Sequence, residues 1–205
     1  MSLELLIGPM FAGKTSAVQA IVRRNLILGW KVFVVTHSMD TRYSDSPAIV
    51  NHDKQSMAAY GAHELLPLLK HADYSAAKLV VVEEAQFFPD LVEFIKTVVD
   101  NDGKHCVVVG LDGDAERRPF GRVLDLIPYC DRVRKLTAMC KKCGDGTPAL
   151  FTHAVSADAS AAAEAGAPCV GGEERYIPLC RRHYNMAKGG NVVNTTVEAS
   201  MIGRV

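Results

Sequence analysis

Three stretches of the chain are apolar at nearly every position: KVFVVTH at Lys31–His37, LVVVEE at Leu79–Glu84 and HCVVVGLDG at His105–Gly113. Runs of this kind, short and rich in β-branched residues, predict strands buried on both faces, the pattern of a parallel sheet with helices outside it. A shorter aliphatic run, Leu5–Leu6–Ile7, predicts a first strand starting at about Leu3. Helical spacing lies between the runs. Val18, Ile21, Val22 and Leu28 fall on one face of a helix that Gly29 stops, and Leu91, Phe94, Ile95 and Val98 on one that Pro89 and Asp90 begin and Asp102–Gly103 ends. His63–His71 reads as a shorter helix in spite of Pro67, and Val133–Ala138 as a further strand. Alternation of strand and helix up to about Thr137 predicts an α/β domain.

Beyond that point the alternation stops. AVSADASAAAEAGAP is nearly low-complexity, and although alanine favours helix, no large apolar residues supply a face to bury. The pattern predicts a mobile loop or lid there, with a disordered surface insertion as the alternative. The tail, NVVNTTVEASMIGRV, carries no periodicity. The chain therefore divides into an α/β unit at 1–138, a smaller lobe at 139–190 and a tail at 191–205.

Composition narrows the classes. A chain of 205 residues suits one cored domain with a small appendage. Lysine plus arginine and aspartate plus glutamate each number 23, so no net field would hold the chain to nucleic acid or to a membrane. No apolar run spans a bilayer, and the chain has no charged-then-apolar leader, so a soluble cytoplasmic protein is expected.

The first strand leads into GPMFAGKT, with the spacing G-x-x-x-x-G-K-T of a phosphate-binding loop. Gly8 and Gly13 allow the backbone to turn so that successive N–H groups, from Met10, Phe11 and Ala12 to Thr15 and Ser16, face one point. The helix amino end favours phosphate oxygens. Lys14 can reach the outer phosphates, and the Thr15 hydroxyl can ligate Mg²⁺.

Such a loop needs an acidic partner at the carboxyl end of a neighbouring strand, and LVVVEEAQFFPD supplies Glu83 and Glu84. Because strand side chains alternate, adjacent residues cannot both face one pocket, so the two carboxylates should divide the work. One would orient water on the metal ion, and the other would accept a proton from an attacking hydroxyl. Gln86, two residues on, could hold a water molecule and so keeps hydrolysis open.

Six cysteines do not make a disulfide framework here. Cys140 and Cys143 form C-x-x-C and Cys180 and His183 form C-x-x-H, while Cys106, Cys130 and Cys169 stand singly. Two short-spaced pairs offering three sulfurs and a nitrogen suit four-coordinate zinc, with no position left open for chemistry, so the site is expected to be structural.

GPMFAGKT, DTRYS, EEAQFFPD, LDGDAERRPFG, KLTAMCKKC and ERYIPLCRRHY occur in the order in which they are found in type II thymidine kinases. The sequence resembles this zinc-containing cytosolic class from Gly8 to Tyr184. The resemblance implies a P-loop (RecA-like) parallel sheet flanked by helices, with a zinc-binding lasso lobe. It implies transfer of a phosphoryl group from Mg·ATP to the 5′-hydroxyl of thymidine, and of deoxyuridine as a second substrate, in pyrimidine salvage. Glu84 falls at the family's catalytic base, and Glu83 at its metal-side carboxylate, usually aspartate, so contact through water is implied. Asp40 and Arg42 match positions linked to the metal ion and phosphates, an arginine there neutralising charge on the transferring group. Gln86 is assigned to the donor side with them. The nucleoside pocket maps onto Met10, Phe87, Leu111, Phe120 and Tyr176, and the lasso that holds the base edge onto Thr152 and Cys169–Val170–Gly171. Ala154 stands where the family often has a basic residue and Ala115 where it has a second aromatic, which implies altered base affinity or selectivity. His183 takes the place of a usual cysteine. The resemblance also implies a homotetramer or dimer and feedback inhibition by dTTP.

Two other classes compete on the residues alone. One is an ATP-hydrolysing or nucleotide-sensing module whose zinc lobe binds a protein partner, and the other a structural zinc-binding protein with a degenerate loop. Intact Lys14–Thr15, the Glu83–Glu84 doublet and the aromatics placed for a base favour the kinase.

Overall fold

The computed structural model describes residues 1–39, 48–50, 56–165 and 169–189. Its first part runs β1 (Ser2–Ile7), α1 (Lys14–Ile27), β2 (Val32–His37), β3 (Ala48–Val50), β4 (Ser56–Ala58), β5 (Tyr60–Ala62), α2 (Ala72–Ala76), β6 (Leu79–Val82), α3 (Leu91–Lys96), β7 (His105–Gly110) and β8 (Arg132–Lys135). The second part holds β9 (Ala138–Met139), β10 (Pro148–Ala149), β11 (Phe151–Ala154), α4 (Ala157–Ala165), β12 (Tyr176–Leu179) and α5 (Arg181–Ala187).

Six strands form one sheet in the order β5-β2-β6-β7-β1-β8, and every pairing in it is parallel. Alternation along the strands gives it two apolar faces. Leu3, Leu5, Val80, Val82 and Val108 pack with Phe88, Leu91, Phe94, Ile95 and Val98 on one side, while Leu6, Val81, Val107 and Val109 pack with Val18, Ile21 and Val22 of α1 on the other. Full burial of a side chain this size stabilises by about 1.5–3 kcal/mol. The strands bring the phosphate loop after β1 and the Glu83–Glu84 doublet after β6 to the same, carboxyl edge of the sheet, where open α/β sheets bind ligands.

Local expectations fail where tertiary context overrides them. Leu28 is 69% exposed, at the C-cap beyond the buried face of α1, which stops at Val22. His63–His71 is not one helix: a 3₁₀ turn covers Leu66–Lys70, and His71, in extended conformation, separates it from α2 and accepts a hydrogen bond from Asp73 N–H. Asp90 precedes α3 as expected, yet its carboxylate caps no amide of that helix and accepts instead from Leu65 and Leu66 N–H. The strand expected at Val133–Ala138 is β8 at Arg132–Lys135, the sheet edge, followed by β9.

The alanine-rich segment is the largest correction. It folds as helix α4, with Ala159 and Ala163 buried against Ala115, Ala154 and Tyr176. The Ser156 hydroxyl accepts from Ala159 N–H at 3.2 Å and caps its start. A face made of methyl groups suffices because it meets Ala115 and Ala154 together with the large Tyr176 ring, which supplies the apolar area the alanines lack.

Candidate active site

The phosphate loop departs from ordinary backbone where the motif requires it. Gly8 has φ +149°, and a Cβ there would lie 2.5 Å from the Leu136 carbonyl oxygen; Gly13, with φ +74°, is the left-handed residue from which α1 starts. The Lys14 ammonium donates to the carbonyls of Pro9, at 2.7 Å, and Gly8, at 3.1 Å.

The two carboxylates part as the alternation argument requires. The Thr15 hydroxyl donates to Glu83 Oε1 at 2.6 Å, and Glu83 is buried. The phosphate loop and the end of β6 thus bring two hard oxygen ligands together, the donor set that Mg²⁺ takes. Strand pairing ends with Glu83 N–H donating to Val35 O, and Glu84 turns into the left-handed region, φ 52° and ψ 41°. That turn directs Glu84 to a different space, a cavity of about 530 Å³.

The cavity brings together all nine residues expected to bind the acceptor: Met10, Phe87, Leu111, Phe120, Thr152, Cys169, Val170, Gly171 and Tyr176, with Glu84 and Gln86 also on its wall. Phe87 and Phe120 meet edge to face, ring centroids 5.5 Å apart. Tyr176 O–H donates to the Cys169 carbonyl at 2.7 Å, and Arg175 donates to Val170 O, so the 169–171 segment is held from two sides. Burial, together with the contact to Cys169, pushes the Tyr176 phenol well above its usual range and keeps it neutral. Asp40 and Arg42, expected at the metal ion and phosphates, lie outside the described residues.

Sequence reasoning missed several wall residues. Asp114 and Arg118 pair at 2.7 Å, and Arg118 also donates to the Ala163 carbonyl of α4, tying the loop after β7 to that helix. The i, i+4 spacing within LDGDAERRPFG could have signalled the pair; nothing local could have placed Ala163. A second cavity of about 490 Å³ lies beside Phe11, Ala12 and Gly13 and is also lined by Met139, Lys141, Glu173 and Pro178, with Tyr176 common to both.

Cys140, Cys143, Cys180 and His183 converge, their ligand atoms all within 4.8 Å of one another. His183 Nδ1 lies 3.4, 3.3 and 3.5 Å from the sulfurs of Cys140, Cys143 and Cys180, and the last two sulfurs are 3.9 Å apart. A tetrahedron with metal–sulfur bonds of 2.3 Å has edges of roughly 3.8 Å, so these four residues fit such an ion. From α5 in the same cluster, Tyr184 O–H donates to the Ala115 carbonyl at 2.7 Å, which links the metal-binding turns to the cavity wall.

A carboxylate facing an apolar cavity large enough for a flat ring and a sugar, one residue from another that meets the phosphate loop, marks a P-loop kinase acting on a small acceptor. Residues 1–184 match the protein family described as thymidine kinase. The chain is 37% identical over 186 residues to thymidine kinase a of Arabidopsis thaliana, an overlap covering 89% of this chain and 74% of that protein. It is 38% identical over 183 residues to the thymidine kinase of Variola virus, 96% of which is covered, and 35% identical over 182 residues to the cytosolic thymidine kinase of Homo sapiens, 72% of which is covered; each overlap takes in 89% of this chain. The chain belongs to the thymidine kinase family.

Proposed function

We propose that this chain transfers the γ-phosphoryl group of Mg·ATP to the 5′-hydroxyl of thymidine, and more slowly of deoxyuridine, giving dTMP and ADP for nucleotide salvage. The observation that carries the reading is the split of the acidic doublet: Glu83 is held by Thr15 of the phosphate loop while Glu84 lines the aromatic cavity. Donor and acceptor sites thereby meet at one strand end.

In this reading the acceptor's base lies between Phe87 and Phe120, its edge against the 169–171 segment and its sugar near Met10. Glu84 accepts the proton of the 5′-hydroxyl as that oxygen bonds to the γ-phosphorus, and the bond to the bridging β,γ-oxygen breaks to release ADP. Lys14 exchanges the Gly8 and Pro9 carbonyls for phosphate oxygens, joined by the amides of Phe11, Ala12, Thr15 and Ser16, while the Met10 amide stays with the Thr152 hydroxyl. Thr15 and Glu83 would hold Mg²⁺, which, when bound, would neutralise charge at the phosphates. Asp40 and Arg42 are assigned to the same charges. The cavity beside Phe11–Gly13 takes the donor's nucleoside.

Zinc at Cys140, Cys143, Cys180 and His183 would be structural, pinning the lasso lobe of residues 139–190 against the α/β unit of 1–138. No described helix is long and apolar enough to cross a membrane. A cytoplasmic homotetramer or dimer, inhibited by dTTP and independent of nucleic acid, completes the proposal. ADP formation from Mg·ATP with and without thymidine tests it. Production that depends on thymidine is expected, whereas equal production without it overturns the kinase reading in favour of hydrolysis.

A further inference from the structure

Gln86 is 4% exposed, and both ends of its side-chain amide are engaged. Leu111 N–H donates to Oε1 at 3.1 Å, and Nε2 donates to Glu84 Oε2. The backbone of Leu111 offers only a proton here, so it settles which end of the amide is oxygen and leaves the NH₂ end for the carboxylate. The slot around the residue admits little else. A Cβ on Gly110 would lie 2.8 Å from Gln86 Oε1, and one on Gly121, where φ is +58°, would lie 2.1 Å from the Gln86 carbonyl oxygen. Gly110, at the end of β7, thus clears the space in which the side-chain amide sits, and Gly121, in the loop beyond, clears the space for the Gln86 backbone.

We infer that Gln86 is a positioning residue: its amide, fixed by Leu111, holds the Glu84 carboxylate toward the acceptor cavity. A carboxylate on a flexible two-carbon arm, following a left-handed backbone turn, otherwise has several rotamers to sample. A hydrogen bond from a buried, fixed donor selects one of them, and the geometric demand on a general base is tight. Leu111 is itself a cavity wall, so the element that sets the amide also touches the space for the acceptor. Among the described residues, the other ionisable groups on that wall are otherwise engaged: Asp114 with Arg118, Cys169 with Arg175, and the Tyr176 hydroxyl with the Cys169 carbonyl. This role differs from holding an attacking water or a donor phosphate.

The inference rests on Glu84 being the base, and a double-mutant cycle separates the two claims. Gln86→Glu keeps the shape but replaces the NH₂ group by an oxygen. It is expected to lower kcat by about tenfold or more with the KM values for ATP and thymidine within about twofold. Gly110→Ala, which pushes the amide from the other side, should do the same by a smaller factor. In a Glu84→Gln background, neither change should lower kcat further. Equal losses in both backgrounds, or a rise in KM for ATP in place of the fall in kcat, would overturn the positioning role. Full activity in Glu84→Gln alone would instead remove the base assignment. Melting temperatures of all variants identify a misfolded one, and Gly110→Ala decides the matter if Gln86→Glu does not fold.

Discussion

The backbone N–H of Met10, in the phosphate loop, donates to the Thr152 hydroxyl at 3.0 Å, although 142 positions separate the two residues. Thr152 is buried on β11, beside the metal-binding turns, and Met10 and Thr152 both line the acceptor cavity. The phosphate loop and the cavity wall are therefore joined by a part-buried hydrogen bond. Thr152→Val leaves the Met10 amide unpaired, at a cost of about 1–3 kcal/mol. A lower melting temperature and a raised KM for thymidine are expected, with both restored by Thr152→Ser. Unchanged thymidine kinetics in the valine variant would mean that the contact is structural ornament to the site.

Glu84→Gln retains the size of the side chain and removes the acceptor of the proton. Turnover should fall by about a hundredfold or more while ATP binding, followed by isothermal titration, holds. Should turnover persist, another group takes the proton.

The Cys140–Cys143–Cys180–His183 cluster is linked to the cavity through Tyr184, whose hydroxyl donates to the Ala115 carbonyl next to the wall formed by α4. Cys140→Ser is expected to lose bound zinc, measured by elemental analysis, and to weaken thymidine binding in the same preparation. Tyr184→Phe should keep the metal and still raise the KM for thymidine. Metal loss with thymidine affinity intact would uncouple the two.

Helix α4 depends on small residues meeting small residues. Ala159, wholly buried, leaves no room for three more heavy atoms, so Ala159→Leu should destabilise the fold by about 1–3 kcal/mol through overpacking. The exposed Ala161→Leu is the control and should melt within a degree or so of the parent. If both variants behave alike, the segment does not pack as a helix against Ala115.

Much of the site was legible because its signals are local. A phosphate loop is a run of eight residues whose glycines, lysine and threonine act through one turn of backbone, and all four do so here. The division of Glu83 from Glu84 followed from strand alternation, and the structure adds the left-handed turn that carries it out. The cysteine and histidine pairs were readable by spacing and meet as four ligands. What failed had non-local causes. Leu28 has the right period for burial but lies beyond the buried face of α1, and the alanine segment lacks any apolar face on its own.

Residue order by itself determined the parallel sheet, the phosphate loop, the acidic doublet and the two short-spaced ligand pairs, since each depends on chemistry repeated or spaced within a few residues. Only the tertiary structure decided that Gln86 is bound between Leu111 and Glu84, that Met10 is tied to Thr152, and that an alanine helix closes the cavity against Ala115. These depend on groups from distant parts of the chain fitting at hydrogen-bond or van der Waals distance, and no period or motif within one segment encodes the shape of the surface that another segment will bring to it.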